Sequence, residues 1–417
     1  MSSKKSAQLV PELRFPEFQN VAAWSVKVLE DLLVMPATYG IVTAGEFQQQ
    51  GIPMLRGGDI KEGKVGDGLP LVTADIHAQY RRTILQERDV VIALVGYPGE
   101  AAVVPAYYIG ANISRAVGLL RLKNARGAQF LVSFLNSPVG RRTVLKPSAG
   151  SAQIVVNLKH LNALLIPIPT SAEQQKIADC LSSLDELIAA QARKVDILKT
   201  HKTGLMQQLF SREAETQPRL RFSEFREAGE WVVQSVGDFG KVVTGSTPST
   251  VQPAFYGGGI PFVSPADISD LRFVDQTKTT LTAEGYAETR PIRAGSVLFV
   301  CIGSTIGKVA QNVHDCATNQ QINAVVPSSK HSDGFVYFAL SLASERIALL
   351  AGRQAVPIIN KSLFSSVRIL APKLPEQQRI ASCLSSLDAM IAAETQKVEV
   401  LKTHKKGLMQ QLFPSLE

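Results

Sequence analysis

The side chains of this 417-residue chain that could do chemistry are mostly basic and amide groups set among glycine, serine and threonine. In the first half these are Arg56, Lys61, Lys64, Tyr80, Arg81, Arg82, Arg115, Arg141 and Arg142. In the second half they are Thr247, Ser249, Arg272, Lys278, Thr279, Lys308, Asn319, Gln320, Gln321, Arg353 and Gln354. Arg, Lys, Asn and Gln carry donors and acceptors that match base edges in the major groove, and Lys, Arg, Ser and Thr are the usual phosphate contacts. Any one of them alone reads as a solvated loop residue. The same bias in both halves points to nucleic acid, and a net charge of +8 permits such a partner without requiring it.

Residue patterns for catalysis are missing. The chain has no GxGxxG after a strand, no GxxxxGK[ST], no HExxH and no GxSxG, and no Asp/Asn-Pro-Pro-aromatic run that would hold a flipped adenine. Cys301, His314 and Cys316 lack the spacing of a metal site, so no metal and no catalytic residue is expected. Four cysteines, two of them repeat equivalents (Cys180 and Cys383), fit a reducing compartment. No apolar run reaches the roughly 20 residues of a membrane span, and the opening Met-Ser-Ser-Lys-Lys-Ser lacks the apolar core of a signal peptide. The expectation is a cytoplasmic protein that is not an enzyme and contacts no membrane.

The elements that must position these loops come from an internal repeat. Gln174–Phe210 and Gln377–Phe413 agree at 27 of 37 positions. In the first copy Leu181, Leu184, Ile188, Gln191, Val195, Leu198, Lys202, Leu205 and Leu209 follow a 3,4 spacing, the seam of a long heptad helix. The second copy keeps Leu384, Leu387, Ile391, Glu394, Val398, Leu401, Lys405, Leu408 and Leu412. The natural partner of each helix is the other, and antiparallel pairing would hold the preceding domains at opposite ends of a rod about 60 Å long.

Before each helix stand two diverged globular domains of mixed α/β, or α+β, character. Val90–Val95, Ala101–Val104, Val297–Ile302 and Asn323–Val326 read as strands, and Gln129–Leu135 and Gly334–Leu349 as helices. The domains correspond where Gly51–Ile60 lies over Gly259–Ile268, Val95–Gly99 near Ile302–Gly307, and Ala111–Ser114 over Thr318–Gln321. Each opens on an aromatic clip, Pro11–Phe18 with Trp24 and Pro218–Phe225 with Trp231. The expected division is 1–170, a first domain; 171–210, a helix; 211–374, a second domain; and 375–417, a second helix.

This combination of Pro-x-x-(Ala/Pro)-Glu-Gln-Gln-(Lys/Arg)-Ile at the start of both helices with Gly-Ser-Thr-Pro-Ser, Ile-Pro-Phe-Val-Ser and Thr-Ile-Gly-Lys-Val resembles the specificity subunit of type I restriction-modification enzymes. Tyr39-Gly-Ile-Val stands where the second domain has Thr244-Gly-Ser-Thr-Pro-Ser, a departure from the commoner pattern. The resemblance implies two target recognition domains and two conserved spacer helices, a pseudo-twofold tandem repeat reading a bipartite, asymmetric double-stranded DNA target. It implies two methyltransferase subunits, which carry S-adenosylmethionine and methylate adenine, and optionally two ATP-driven restriction subunits that use magnesium; no cofactor is expected in this chain. A nucleic-acid-binding scaffold outside restriction and a coiled-coil adaptor that binds only protein are the competing readings.

Overall fold

The structure, a computed structural model, describes residues 9–146, 154–211, 215–352 and 356–415. Two helices of 39 residues run Ser171–Leu209 and Leu374–Leu412. The first begins where Thr170 Oγ1 accepts from the Glu173 N–H at 3.3 Å, and the second carries Pro375 in its opening turn. All fourteen apolar seam residues are buried or half-buried. On other faces of the helices Leu187, Ile197, Met390 and Val400 are exposed. Lys405 meets Asp185 at 2.6 Å, Lys202 meets Asp388 at 2.5 Å and Lys194 meets Glu394 at 2.9 Å, so residue numbers rise along one helix as they fall along the other. The helices pair antiparallel.

The chain divides into two compact units, Met1–Ala192 with Gln396–Glu417, and Arg193–Thr395. In the first, a four-stranded sheet has the order Thr38–Tyr39, Val117–Leu120, Val90–Ala93, Ala101–Val103. Val90–Ala93 is buried at every position because both faces are covered, which is why it reads as an unbroken apolar run. A second sheet of Leu71–Val72, Ile52–Leu55 and Asn112–Ile113 has its last two strands parallel. Strand Ser25–Val28 closes the head against Leu165–Ile168, immediately before the long helix.

The second unit repeats the plan. Its larger sheet has the order Gly240–Thr244, Ile322–Pro327, Val297–Val300, Val309–Asn312, Phe273–Val274. Its smaller sheet is Thr279–Leu281, Tyr256–Val263, Ala317–Thr318, again with the last pair parallel. The helix expected over Gly334–Leu349 is instead two, Asp333–Leu342 and Ser344–Ala348, because the backbone leaves the helical line at Ala343 (φ −83°, ψ −3°).

Each head is latched to the start of its own long helix by one arginine. Arg14 donates through Nε and Nη2 to the two oxygens of Glu173 at 2.8 and 2.7 Å, and Trp24 Nε1 donates to Oε1 at 3.1 Å. Arg221, Trp231 and Glu376 repeat the arrangement at 2.8, 2.7 and 3.2 Å. The clip therefore grips by a buried ion pair as well as by its aromatic residues. Each head also receives the end of a long helix. Phe413 packs edge-on or tilted on Trp24, Phe130 and Phe134 in the first unit, and Phe210 packs on Trp231 and Phe335 in the second.

Candidate nucleic-acid interface

The parallel strands of each small sheet end side by side, and the loops that leave them carry the polar residues. In the first head, Leu55 pairs with Ile113, so Arg56 and Arg115 follow neighbouring strands. The Arg115 N–H donates to Ile41 O at 2.8 Å, which brings in the loop after Tyr39. Gly57 closes the base of the site: a Cβ there would lie 1.8 Å from Val95 O. The loop after Val95 turns at Gly96 and Gly99, both with positive φ, and presents Tyr97, over whose ring Lys61 Nζ sits at 5.6 Å. Tyr80 Oη accepts from the Val42 N–H at 3.3 Å. Arg56, Lys61, Arg115, Tyr39 and Tyr97 are all exposed around this junction.

The second head uses the same framework with different side chains. Val263 O accepts from the Asn319 N–H at 3.2 Å, as Leu55 O accepts from Ser114 at 2.8 Å. Ser246 N–H donates to Thr318 O at 2.9 Å, as Ile41 does to Ile113 O at 2.7 Å. Thr247 Oγ1 donates to Gln320 Oε1 at 2.7 Å, Asn319 Nδ2 to Gln321 Oε1 at 2.9 Å, and Gln321 Nε2 to Ile302 O at 3.3 Å. The loop 302–307 turns at Gly303 and Gly307 with positive φ, as its counterpart does. These pairings correct the correspondence expected from sequence. Asn112 falls on Ala317, Ser114 on Asn319 and Arg115 on Gln320, two residues from the match suggested by aligning Asn112 with Asn319.

Other candidates lie elsewhere in their own unit. Lys64 is exposed on Lys64–Val65, and Arg81 and Arg82 are exposed just after Tyr80. Arg141 is paired with Glu100, and Arg142 lines a cavity of about 230 Å³ with Thr143, Lys146 and His160 rather than a reading loop. Ser249, Lys278 and Thr279 are exposed; the Lys278 N–H donates to Asp267 Oδ1 at 2.9 Å, and exposed Lys308 donates from Nζ to Ile268 O at 2.8 Å. Arg353 and Gln354 lie outside the described residues.

Arg272 is withdrawn from the set. Its guanidinium donates to Gln311 Oε1 and Ser385 Oγ, lies 3.6 Å from Asp388, and sits over the rings of Phe273, Tyr337 and Phe338 at 4.6 to 4.9 Å. Burial lowers its pKa, and Asp388 offsets part of that. A side chain so enclosed ties the second head to its helix and offers no edge to a duplex. Sequence reasoning passed over Tyr39, Tyr97 and Asp59, whose roles depend on loop closure. Burial pushes the Cys301 thiol to about 11 and the Cys316 thiol to about 12, so both are neutral at physiological pH. His314 points instead to Asp275 at 2.9 Å.

The family model described as "Type I restriction modification DNA specificity domain" matches residues 23–200 and again 228–403. The chain is 33% identical over 147 residues to the HindI specificity subunit of Haemophilus influenzae, a match spanning 34% of this chain and 32% of that protein. It is 24% identical over 422 aligned residues to the putative MjaX specificity subunit of Methanocaldococcus jannaschii, covering 94% of this chain and 92% of the other. Among solved structures, the S subunit of a type I restriction-modification system from M. genitalium has the same fold, with a TM-score of 0.60 at 16% identity, over 98% of this chain and 100% of that one.

Proposed function

The chain belongs to the type I restriction modification DNA specificity family and is a DNA-recognition subunit built from two such domains, and we propose that each domain reads one half of a bipartite, asymmetric duplex target. One observation carries this reading: the two heads share a strand framework yet carry different side chains at matched loop positions. Arg56 answers to Ser264, Arg115 to Gln320 and Tyr39 to Thr244. Equal frames with unequal reading groups suit two different half-sites, and the stretch between them is left unread.

The chemistry belongs to partners. Exposed residues of the long helices are identical in both copies: Lys199 and Lys402, Thr200 and Thr403, His201 and His404, Gln208 and Gln411. Two equal faces suit two copies of one partner, a methyltransferase subunit that binds S-adenosylmethionine and methylates adenine. Restriction subunits using ATP and magnesium complete the assembly, in a cytoplasmic setting.

Adenine methylation mapped across DNA from cells expressing this chain with its methyltransferase tests the reading. A two-part asymmetric motif is expected, and the purified chain alone should transfer no methyl group. Methyl transfer by the chain alone would overturn the non-enzymatic role. Duplex affinity that does not fall with added salt would instead favour an adaptor that binds only protein.

A further inference from the structure

One arginine in the first head is held in a way that its turn does not require. Arg56 opens a turn closed by Asp59, whose Oδ2 accepts from the Arg56 backbone N–H at 2.8 Å. The second head builds the same turn with a serine: Asp267 Oδ2 accepts from the Ser264 N–H at 2.9 Å and from its Oγ at 2.6 Å. The turn therefore needs the aspartate and not the arginine.

The guanidinium is nevertheless fixed. Nε donates to Asp59 Oδ2 at 3.1 Å and Nη2 to Oδ1 at 2.9 Å. The carboxylate takes the Nε/Nη2 edge, and Nη1 has no hydrogen-bond partner among the described residues, so the end-on Nη1/Nη2 edge is free to donate. The side chain is 49% exposed. Beside it Gly58 leaves open space, with nothing within 4 Å of where a Cβ would stand.

We propose that Arg56 reads a guanine in the half-site of the first head, presenting its Nη1/Nη2 edge to O6 and N7 in the major groove while Asp59 holds the rotamer. This rests on the duplex-reading function proposed above. An arginine paired with a carboxylate is nearly neutral as a unit, so it makes a poor phosphate clamp. It keeps a rigid pair of parallel donors, the geometry that guanine alone among the bases accepts. The buttress also removes the rotamer freedom that a free arginine would lose on binding.

The test uses the full chain co-purified with its methyltransferase and a randomised duplex pool, from which bound sequences are recovered. The wild-type complex should return a bipartite motif; recovery of no motif would refute the duplex-reading function and this proposal with it. Arg56→Ser copies the turn of the second head and should fold. It should lose discrimination at one guanine position of one half-site by about 5- to 150-fold, with the other half-site unchanged. Arg56→Gln should move that position toward adenine, and thermal unfolding matched to wild type serves as its folding control. With the wild-type motif in hand, three results overturn the assignment alone: unchanged preference in both variants, a lost position that is not guanine, or a uniform fall in affinity with the salt slope reduced by about one, which marks a phosphate contact.

Discussion

Lys405 Nζ lies 2.6 and 2.7 Å from the two carboxylate oxygens of Asp185, and 203 residues earlier in the chain Lys202 makes the matching contact with Asp388 at 2.5 Å. Asp185 and Asp388 precede the middle of their helices, whereas Lys202 and Lys405 follow it. One heptad added after Val195 and another after Val398 therefore leaves both ion pairs and the seam in register, while lengthening each helix by about 10 Å. The double insertion should fold, keep both half-sites and widen their gap by about three base pairs. A single insertion should break the register and lower the unfolding midpoint. Methylation mapping and thermal unfolding of the three variants check this, and an unchanged gap in an active double insertion contradicts it.

Glu173 is almost fully enclosed with Arg14, at 1% and 6% side-chain exposure. Removing one member strands the other charge, so Arg14→Ala should destabilise the first unit by about 3–5 kcal/mol. Replacing both with apolar residues should cost much less. Fluorotryptophan labelling separates the units, since Trp24 reports on the first and Trp231 on the second. Equal loss at both resonances would contradict a local latch.

The helices were legible because a 3,4 spacing over nine seam positions has one structural meaning, and because Leu181 and Leu384 recur in identical surroundings. The buried strands were legible from runs such as Val90–Ala93. The loop register was not. Asn112 and Asn319 invite alignment, yet Asn112 is a buried bracket, accepting from Thr83 Oγ1 at 2.6 Å, and Asn319 sits two places further along. Arg272 misled for a related reason: its enclosure comes from Tyr337, Phe338 and Ser385, more than 60 residues away, and no local pattern announces it.

His331 gives the second unit a dependence on pH. Burial lowers its pKa from the ordinary 6.5, and its Nδ1 faces Gln377 Nε2 at 3.1 Å, a contact that suits a neutral ring. Below about pH 6.5 the unfolded chain binds more protons than the folded one, so stability falls as pH drops toward the folded value. Above 6.5 this contribution is complete. His331→Gln should flatten the fall between pH 7 and 5 in denaturant titrations followed at Trp231, and an unaltered slope would assign the dependence to other groups.

A chain stopped after Phe210 should pair with a second copy of itself. Eight of the nine seam positions are identical in the two helices, and Phe210 can occupy the seat that Phe413 fills against Trp24, Phe130 and Phe134. Expressed with the methyltransferase, residues 1–210 should direct methylation to a palindrome built from one half-site. Light scattering and methylation mapping decide it; a soluble monomer at micromolar concentration, or an asymmetric site, contradicts it. Phe210→Ala in this fragment should weaken the dimer, since truncating a buried phenylalanine costs about 3–5 kcal/mol.

The seating of Phe413 in the first unit also sets an order of events during synthesis. The second unit draws only on Arg193–Thr395, so everything it needs has been made before the chain is finished. The first unit begins to emerge much earlier and yet waits for Met409, Leu412 and Phe413 to complete its core. On the ribosome the domain made first is thus the one that closes last, and until then Trp24, Phe130 and Phe134 lack their final aromatic neighbour. A chain cut short in the second half, before Phe413, carries no occupant of its own for that side of the first head, and the seat stays open until the Phe210 of a second chain fills it.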